Sequence, residues 1–486
     1  MLSRVIDEPF RFDPEYYSKS NLMLEDLIKS TNGGAIESYN GKVDCSAFYP
    51  SITGFYSDDK SLIPFIRVNE IQNGLVVLTD DTVFLPEKVL NDNQTTISKA
   101  YPGDLVIAKG GNTLAKVGLV TNEYPVYATC RDVIILRTND LNGINKYYLW
   151  SFLHSKYGQN LMWRSASQTG QPHITLPIIT NMHVPSLSEK FQLEVENLYI
   201  ASVENKKLAE EKYKKAETKL LSELGVDICK FETEVFSVRR YTDILSAERM
   251  DAEYFQPKYD KLISTILKYD PKAKTLDDVA IYLFTGEYAD KYMLFDKGLC
   301  HYVRGTDIYD GIVEIDLFHS VDPQKHSKFV CEGDIVTGRV GTIGNFGVIS
   351  KELDNSVCSD NVLCFHLPND YIPNVYALYF NSSIINELTN RMSRGSVQQR
   401  MNQETLRELI IPYIKYDTQI ELNEIILCSF ELMNKSKRLL ECAKKAVEMA
   451  IEIDEFTAFQ WLEESMRKAP TSRSSTRRSG SRAWLR

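Results

Sequence analysis

The chain of 486 residues contains an internal repeat, in which four segments recur in the same order at offsets between 227 and 238 residues. The paired segments are residues 11–17 with 249–255, 103–109 with 333–339, 117–120 with 346–349, and 152–192 with 379–419. One such match could arise by chance, whereas four in order at a nearly constant offset indicate a duplication. The repeat therefore predicts two units with the same fold.

Each copy has the pattern of a strand-rich globular part followed by a long helix. Short β-branched runs bounded by Gly, Asn and Asp predict strands. These runs are residues 105–108, 117–120 and 133–136 in the first copy, and 335–337, 346–349 and 362–365 in the second. One helix is predicted near the end of each globular part, over residues 145–164 and 374–391.

Two further segments predict helices of about 35 residues each. The first, residues 189–223, has no Gly or Pro, follows Ser188 as a candidate N-cap, and is stopped by Gly225. The second runs from about residue 417 to 453. Apolar residues recur at helical spacing in both, so each helix needs a partner to cover its apolar stripe. The economical prediction is that the two helices pack on each other.

Composition limits the class of protein. Hydrophobic residues make up 43% and charged residues 25%, which is typical of a globular chain. The sequence has no apolar leader and no stretch of 18 apolar residues, so we expect a cytoplasmic protein. The nine cysteines are scattered without a CxxC pair, which predicts reduced thiols.

The charge distribution sets a condition on any nucleic-acid function. The net charge is -10, and the last 21 residues hold seven Lys or Arg and no acid. The remaining 465 residues therefore carry 49 basic against 66 acidic side chains. A nucleic acid would have to meet local basic patches on this chain, or basic partners would have to help.

The repeated motifs together resemble the specificity subunit of type I restriction-modification systems. In each copy, a strand with Gly-Asp-[Leu/Ile]-Val precedes a Gly-rich hairpin, a helix, a Gln-containing loop, a Pro and a long helix. The resemblance covers residues 1 to about 455. It implies an α+β fold, with two mixed, strand-rich target-recognition domains joined by two long antiparallel helices. These helices would be coiled-coil-like, and the two copies would be related by an internal pseudo-twofold repeat.

The resemblance also implies a division of the chain. The expected parts are target-recognition domain 1 (1–187), spacer helix 1 (188–224), a linker (225–235), target-recognition domain 2 (236–416), spacer helix 2 (417–455), and a C-terminal segment with a basic, Ser- and Arg-rich disordered tail (456–486). Each domain would read one half of a bipartite double-stranded DNA site, and the helices would dock methyltransferase subunits. Residues 40–101 and 275–326 do not align by eye, as expected of readers of different half-sites.

Candidate DNA-contacting residues lie in a hairpin and a loop that occur in both copies. Arg and Gln side chains can bond guanine and adenine edges, and a basic residue beside Gly backbone approaches phosphates well. The candidates are Lys109, Asn112, Thr113, Arg164, Gln168, Thr169, Gln171, His173, Arg339, Thr342, Arg391, Arg394, Ser396, Gln398, Gln399 and Arg400. The alternative is a polar cap on each domain, because Gln171 and Gln398 pair within otherwise similar scaffold.

Neither a metal site nor an acid–base pair is predicted. Cys364 and His366 fall opposite an Ile and an Arg of the first copy, so Cys364 is expected to be a small buried hydrophobic residue. The carboxylates of Asp251 and Glu253 recur in both copies, and a structural salt bridge is the favoured interpretation.

No catalytic residue is predicted, because the chain lacks an Asp/Asn-Pro-Pro-aromatic motif, a Walker A motif, a nuclease core and a GxSxG motif. The resemblance implies a non-catalytic subunit with no cofactor of its own. It places S-adenosylmethionine on methyltransferase partners, and ATP and Mg on a restriction–translocase partner. The alternative function is a protein scaffold of a related defence system that does not itself bind DNA.

Overall fold

The computed structural model describes residues 16–47, 51–79, 81–166, 172–226, 234–247, 249–296, 298–315, 318–339, 344–392 and 401–467. Its contacts divide the chain into two compact units of mixed α and β structure. Unit 1 is Met1–Asn205 with Lys435–Arg486, and unit 2 is Lys206–Asn434. The mixed α and β class agrees with the prediction, whereas the domain boundaries derived from the resemblance stay predictions.

Unit 1 is built on a central sheet with helices on it. Its strands are β1 (Gly33–Ala35), β2 (Lys42–Cys45), β3 (Ile63–Ile66), β4 (Ile71–Gln72), β5 (Leu75–Val76), β6 (Phe84–Leu85), β7 (Lys99–Ala100), β8 (Leu105–Ala108), β9 (Val117–Leu119), β10 (Tyr127–Thr129), β11 (Val133–Arg137) and β12 (His183–Pro185). Its helices are α1 (Lys19–Ser30), α2 (Glu87–Asp92), α3 (Lys146–His154), α4 (Lys156–Ser165) and α5 (Leu176–Thr180). The long helix α6 (Glu189–Glu223) begins in unit 1 and ends in unit 2.

The main sheet of unit 1 has the strand order β2-β11-β8-β9-β5-β4. Neighbours are antiparallel except β9 and β5, which are parallel. A smaller sheet has the order β6-β3-β10-β7, with β3 and β10 parallel. The predicted strands β8, β9 and β11 are confirmed, and they form the centre of the main sheet because their apolar residues are buried on both faces.

Unit 2 contains a second set of elements. Its strands are β13 (Lys274–Thr275), β14 (Tyr282–Thr285), β15 (Cys300–Val303), β16 (Ile308–Tyr309), β17 (Gly311–Val313), β18 (Ser320–Val321), β19 (Ile335–Gly338), β20 (Phe346–Val348), β21 (Val357–Cys358), β22 (Val362–His366) and β23 (Ile410–Ile411). Its helices are α7 (Tyr241–Ala247), α8 (Pro257–Tyr269), α9 (Leu276–Val279), α10 (Pro373–Asn381), α11 (Ser383–Met392) and α12 (Gln403–Arg407). The long helix α13 (Tyr416–Glu452) begins in unit 2 and ends in unit 1, which also holds α14 (Glu455–Arg467).

The main sheet of unit 2 has the order β14-β22-β19-β20-β17-β16. Its pairs are antiparallel except β20 and β17, which are parallel. Taken in order, these strands have the same neighbours and directions as those of the unit 1 main sheet. The predicted strands β19, β20 and β22 are confirmed as three neighbours within it.

The helix predicted over residues 145–164 is instead two helices, α3 and α4, and the one predicted over 374–391 is likewise α10 and α11. Ser155 interrupts the first with an extended backbone, at ψ 161°, and its Oγ accepts from the backbone N–H of Gly158 at 3.3 Å. A side chain at Gly158 would collide with the carbonyl of Phe152. Ser382 interrupts the second in the same way, at ψ 158°. The side chain of Ser155 caps the second helix of the first pair, and the extended backbone at Ser382 accounts for the break in the second pair.

The long helices begin and end close to their predicted bounds. Ser188 Oγ accepts from the backbone N–H of Phe191 at 3.3 Å, so it acts as the predicted N-cap of α6. Gly225 ends the helix with a φ of 70°. Within unit 1, Ser202 Oγ donates to Ser436 O of α13 at 2.9 Å.

Within unit 2, α6 and α13 are also in contact. Ser429 Oγ donates to Ala209 O at 2.7 Å, and the rings of Tyr213 and Phe430 stack with centroids 6.2 Å apart. The buried side chains of Leu220 and Leu422 join the core of this unit. These contacts cover part of the apolar stripe of each helix.

In the C-terminal segment, for whose start no secondary structure was predicted, residues Glu455–Arg467 form helix α14. Ala458 and Leu462 of this helix are buried in the unit 1 core, and burial of a leucine is worth roughly 1.5–3 kcal/mol. The predicted disordered tail lies outside the described residues. In the part of the chain that the structure describes, no helix combines the length and the apolar character needed to cross a membrane.

Candidate nucleic-acid interface

The predicted hairpin of unit 1 begins at Lys109, directly after β8. Its backbone N–H donates to Asp132 O at 2.8 Å, which ties the hairpin to the loop before β11. Lys109 Nζ lies 3.9 Å from Cys45 Sγ. Burial raises the pKa of Cys45, although the ammonium of Lys109 opposes the shift. Lys109 therefore faces a neutral thiol at neutral pH, and its charge can attract an anion.

The hairpin turn itself is short and closed by its own polar groups. Gly111 has a φ of 71°, a conformation that glycine adopts without strain. Thr113 Oγ1 donates to Gly110 O at 3.2 Å, which occupies its hydroxyl. Asn112 is exposed at the tip. Of the predicted residues in this turn, Asn112 is the one whose side chain is most accessible to a ligand.

The structure brings His173 next to this hairpin. His173 forms an antiparallel bridge with Gly110, and the backbone N–H of Ile174 donates to Lys109 O at 2.8 Å. A side chain at Gly110 would collide with the imidazole ring of His173, so the close approach depends on glycine. Lys109 and His173, 64 residues apart in sequence, thus belong to one surface.

Unit 2 repeats this arrangement around Arg339. Its backbone N–H donates to Asn361 O at 2.8 Å, and its Nη1 donates to Asp360 O at 3.0 Å. The backbone N–H of Met401 donates to Arg339 O at 3.2 Å, as Ile174 does to Lys109. In both units, therefore, the basic residue that follows the equivalent strand (Lys109 or Arg339) is bonded to the residue that comes directly after the Gln-containing loop (Ile174 or Met401).

Nine of the predicted residues lie outside the described part of the chain, and the structure does not bear on their role. They are Gln168, Thr169, Gln171, Thr342, Arg394, Ser396, Gln398, Gln399 and Arg400.

Arg164 points into unit 1, contrary to the role predicted for it. Its side chain is only 3% exposed, and its Nη1 lies 2.6 Å from Glu25 Oε2. Its Nε donates to Tyr16 O at 2.7 Å, and the guanidinium lies over the Tyr16 ring at 4.1 Å. A buried guanidinium with these partners holds Tyr16 and Glu25 in place within unit 1. It is poorly placed to contact a phosphate or a base.

Arg391 holds the equivalent place in unit 2. Its Nε donates to Tyr254 O at 3.2 Å, its guanidinium lies over the Tyr254 ring at 4.7 Å, and its Nη2 lies 3.3 Å from Asp260 Oδ1. The Arg391 side chain is 16% exposed, and these partners inside unit 2 occupy its guanidinium, so the predicted DNA contact is unsupported here as well. In the neighbouring motif, Asp251 pairs with Arg249 at 2.7 Å, which agrees with the structural interpretation of that carboxylate.

Unit 1 also contains an arginine-containing turn that is not among the predicted site residues. Arg67 and Glu70 bracket a short 3-10 turn directly after β3. Glu70, which is 2% exposed, accepts from the Arg67 backbone N–H and from Nη2, both at 2.8 Å. The Arg67 side chain is 29% exposed, so part of it faces solvent.

Unit 2 contains the same turn between Arg304 and Asp307. Asp307 accepts from the Arg304 backbone N–H at 2.9 Å and from Nη2 at 2.7 Å. The Arg304 side chain is 31% exposed. The signal was present in the sequence, since residues 66–77 align with 303–314 at an offset of 237. The expectation that residues 40–101 and 275–326 do not align is wrong over this stretch.

Each of these arginines lies near the hairpin of its own unit. The backbone N–H of Cys130 donates to Ile66 O at 2.9 Å, which places Arg67 beside the loop that also binds Lys109 through Asp132. Burial raises the pKa of Cys130 to about 11, so this loop carries a neutral thiol. In unit 2, the backbone N–H of Ser359 donates to Val303 O at 2.8 Å, so Arg304 and Arg339 likewise flank the short loop before β22.

Cys364 and His366 of β22 both contact one buried carboxylate, that of Asp334. His366 Nδ1 lies 2.7 Å from Asp334 Oδ1, and Cys364 Sγ lies 3.3 Å from Asp334 Oδ2. Burial raises the pKa of the Cys364 thiol well above its usual value, and its charged neighbours add to the effect. The described residues contain no cluster of three or more His, Cys, Asp or Glu side chains suited to a metal ion.

A comparison with protein families identifies part of the chain. Residues 270–427 match the family model of the type I restriction modification DNA specificity domain. This segment covers β13 to β23 of unit 2 and the first turns of α13. The match confirms, over residues 270–427, the resemblance on which the sequence prediction was based. No curated protein matches the chain.

The chain is also similar to solved structures at low identity. One is the S subunit of a type I restriction-modification system from M. genitalium, with 11% identity, 87% of this chain and 96% of that chain covered, and a TM-score of 0.39. Another is the HsdS subunit from Thermoanaerobacter tengcongensis, with 14% identity, 85% and 97% covered, and a TM-score of 0.27. A structure describing complex assembly of the type I R-M system has 12% identity, 85% and 98% covered, and a TM-score of 0.28. At these scores the family match, and not the structural likeness, supports an argument about function.

Proposed function

Since residues 270–427 are a type I restriction modification DNA specificity domain, we propose that this chain is the sequence-specific DNA-recognition subunit of a type I restriction-modification complex. The family match is the observation that carries the proposal. Unit 1 has the same strand order in its main sheet as the matched unit, which supports a second DNA-reading domain there. Each domain would read one half of a bipartite site.

The charge of the chain is compatible with this role because basic residues are placed locally. Lys109 in unit 1 and Arg339 in unit 2 follow equivalent strands, and each is tied to the equivalent loop by its backbone N–H. Phosphate contacts by such residues fix the register of a protein on DNA, whereas base contacts provide the specificity. The overall negative charge predicts weak binding by the isolated chain and stronger binding within a complex.

The long helices are proposed to pair antiparallel as a spacer and to dock the methyltransferase subunits. Leu193 and Ile200 of α6 are exposed, and the repeat aligns them with Ile420 and Leu427 of α13, which are also exposed. An apolar pair that recurs at equivalent positions fits two copies of one partner. S-adenosylmethionine would be bound by these partners, and ATP and Mg by a restriction–translocase subunit.

The proposal is tested by mapping adenine methylation in the genome of the native host and of a strain that lacks this gene. We expect a bipartite methylated motif that disappears with the gene and returns when the gene is supplied again. The control is deletion of the gene for the methyltransferase partner, which should remove the same motif. Unchanged methylation in the first deletion, with loss in the second, would contradict a specificity role and favour the protein-scaffold alternative.

A further inference from the structure

One tyrosine recurs at the same place in the loop that leads to β3 in unit 1 and in the loop that leads to β15 in unit 2. An isolated antiparallel bridge joins each loop to a neighbouring strand, and the bridged pairs are Ser57–Phe84 and Met293–Ser320. These bridges align residues 55–59 with 291–295 at an offset of 236. Only the second of the five aligned positions is identical, and it holds Tyr56 in one unit and Tyr292 in the other.

Each of these tyrosine rings packs on a buried aromatic ring of the following strand. Tyr56 lies against Phe65 with ring centroids 5.9 Å apart, and Tyr292 lies against Tyr302 at 5.4 Å. The two supporting residues are each 1% exposed, whereas Tyr56 is 36% and Tyr292 48% exposed. Among the described residues, neither the Tyr56 nor the Tyr292 hydroxyl has a hydrogen-bond partner. Each loop therefore holds a phenol by its ring and leaves the hydroxyl available to a ligand.

Both tyrosines lie close to the arginine-containing turn of their own unit. In unit 1, burial raises the pKa of Tyr56 and the charge of Arg67 opposes the rise, so the two side chains interact and the hydroxyl keeps its proton at neutral pH. In unit 2, the Tyr292 ring lies 5.3 Å from the ring of His319, whose Nε2 lies 2.8 Å from Arg304 Nη1. Each of these arginines flanks the loop that also binds the basic residue of the hairpin, as described above. The tyrosines therefore belong to the candidate interface of each unit.

We propose that Tyr56 in unit 1 and Tyr292 in unit 2 are DNA-backbone contacts, each donating its hydroxyl to a phosphate of its own half-site. A residue shared by two readers of different sequences is expected to bind what the half-sites have in common, which is the sugar–phosphate backbone. Tyrosine hydroxyls are among the donors that bind phosphates and fix the register of a protein on DNA. A neutral donor also suits a chain whose net charge is -10. This inference rests on the proposed function and adds one backbone contact in each unit to it.

The test uses the full chain reconstituted with its methyltransferase subunits, and duplexes that carry the motif identified by methylation mapping. Tyr56→Phe and Tyr292→Phe keep each ring on its support and remove only the hydroxyl. We expect each variant to bind the cognate duplex about 10- to 150-fold more weakly, which is the effect of one hydrogen bond to a charged group. Because every sequence offers the same phosphate, affinity for mismatched duplexes should fall by the same factor, and the base preference should be unchanged.

Duplexes with a single neutral methylphosphonate linkage, scanned across both half-sites, locate the contact. We expect one linkage in one half-site at which wild type loses affinity and Tyr56→Phe loses no more than it has already lost. Tyr292→Phe should be insensitive in the same way at one linkage of the other half-site. A purely structural role of the two rings would leave the pattern of sensitive linkages identical in wild type and in both variants.

Tyr101→Phe in unit 1 and Tyr413→Phe in unit 2 provide matched controls. Tyr101 is 44% and Tyr413 38% exposed, and neither hydroxyl has a hydrogen-bond partner in the described part of the chain. The Tyr101 ring lies 5.6 Å from the guanidinium of Arg137, at the end of β11 that is remote from the loop before that strand. Tyr413 lies between β23 and α13 and packs on Tyr371 with centroids 5.4 Å apart. We expect both controls to bind DNA as wild type does, and all four variants to unfold at temperatures close to that of wild type.

Three results would count against the inference in different ways. If the wild-type complex selects no sequence, the proposed function fails, and the inference fails with it. If the wild-type complex is specific but both Phe variants keep its full affinity, the two rings are structural and the inference alone is overturned. If a Phe variant instead loses the preference at a single base pair, its hydroxyl contacts a base, and the proposed phosphate contact is wrong.

Discussion

Single buried charges show how the two units reach similar structures with different residues. In unit 1, Asp104 is 1% exposed and binds Arg137 Nη1 at 2.7 Å and the backbone N–H of Tyr101 at 2.9 Å. In unit 2, Asp334 at the equivalent position is fully buried and binds His366 instead, with a further bond from Tyr282 at 2.6 Å. A buried carboxylate needs such donors, because an unpaired one costs several kcal/mol. The Gly-Asp motif of the repeat is therefore a requirement of the fold.

Glu25 gives a prediction at this scale. Burial raises its pKa, but hydrogen bonds from Lys29 and Arg164 and their charges outweigh that effect and lower its pKa below the usual 4.5. Its stabilising contribution is therefore complete above about pH 4.5 and is lost as the pH falls through the lower, folded-state pKa. We expect Glu25→Gln to destabilise unit 1 by about 2 kcal/mol at pH 7, because the buried guanidinium of Arg164 then loses its carboxylate acceptor.

Chemical denaturation at pH 7, 5 and 3.5 checks this expectation. The difference in unfolding free energy between wild type and Glu25→Gln should shrink as the pH falls from 5 to 3.5. Glu87→Gln on the exposed face of α2 serves as the control, with an expected change within about 0.5 kcal/mol. A difference that stays constant over this range would show that the carboxylate of Glu25 is not the relevant group.

At the scale of elements, the long helices combine buried and exposed apolar residues. Val195 and Leu198 of α6 are buried in unit 1, whereas Leu193 and Ile200 are 53% and 40% exposed on the same helix. An exposed leucine by itself has no meaning, since much of any protein surface is apolar. The recurrence of the exposed pair at the equivalent positions of α13 makes it a candidate docking face.

We therefore expect the double variant Leu193→Glu with Ile200→Glu to lose one methyltransferase subunit. Each side chain buried in an interface is worth roughly 1.5–3 kcal/mol, so the pair should weaken binding at least about 100-fold. The double variant Ile420→Glu with Leu427→Glu should lose the other subunit. The mass of the reconstituted complex, measured by light scattering, distinguishes complexes with two, one or no partners.

Met23→Glu is the control for introducing a charge at an exposed apolar residue. Met23 lies on α1, is 62% exposed and is remote in sequence from both helices. The control complex should keep both partners, and all variants should unfold at temperatures close to that of wild type. Full complexes in both double variants would rule out these faces as the docking sites.

At the scale of the whole molecule, the proposal is that each unit is a separate reader of DNA. The two main sheets share strand order and directions, while the surrounding loops differ in sequence. Conserved architecture with variable loops is the arrangement by which one fold can serve different binding specificities. A bipartite, asymmetric target is the consequence expected of two unlike readers in one chain.

Chimeras with a related specificity subunit, joined within residues 225–235, test this consequence. We expect each chimera to direct methylation of a motif made of one half-site from each parent. The readout is the methylated motif in a host that supplies a common methyltransferase subunit. The parents in the same host are the controls. Chimeras that change both half-sites at once would contradict the two-reader arrangement.

Much of the architecture could be predicted from local pattern. The central strands of both main sheets, the long helices, the Ser188 cap and the stop at Gly225 all depend on residues close together in sequence. The repeat also predicted that the two halves of the chain have similar folds, and its motifs indicated the resemblance to type I specificity subunits. The breaks at Ser155 and Ser382 were missed because apolar residues continue across them at helical spacing, and a serine does not by itself mark the end of a helix.

The candidate interface was less predictable, because burial and contact depend on residues far apart in the chain. Arg164 was predicted to face DNA from its place in a polar loop, but it is buried against Tyr16, 148 residues away. Arg67 was not predicted as a site residue, yet hydrogen bonds between segments far apart in sequence bring it near Lys109. The amino-acid sequence by itself determined the duplicated plan and its elements, since these follow from periodicity and spacing. Only the tertiary structure decided which arginines are buried in structural contacts and which stay partly exposed. The exposure of a side chain depends on neighbours that are distant in sequence and that folding brings into contact.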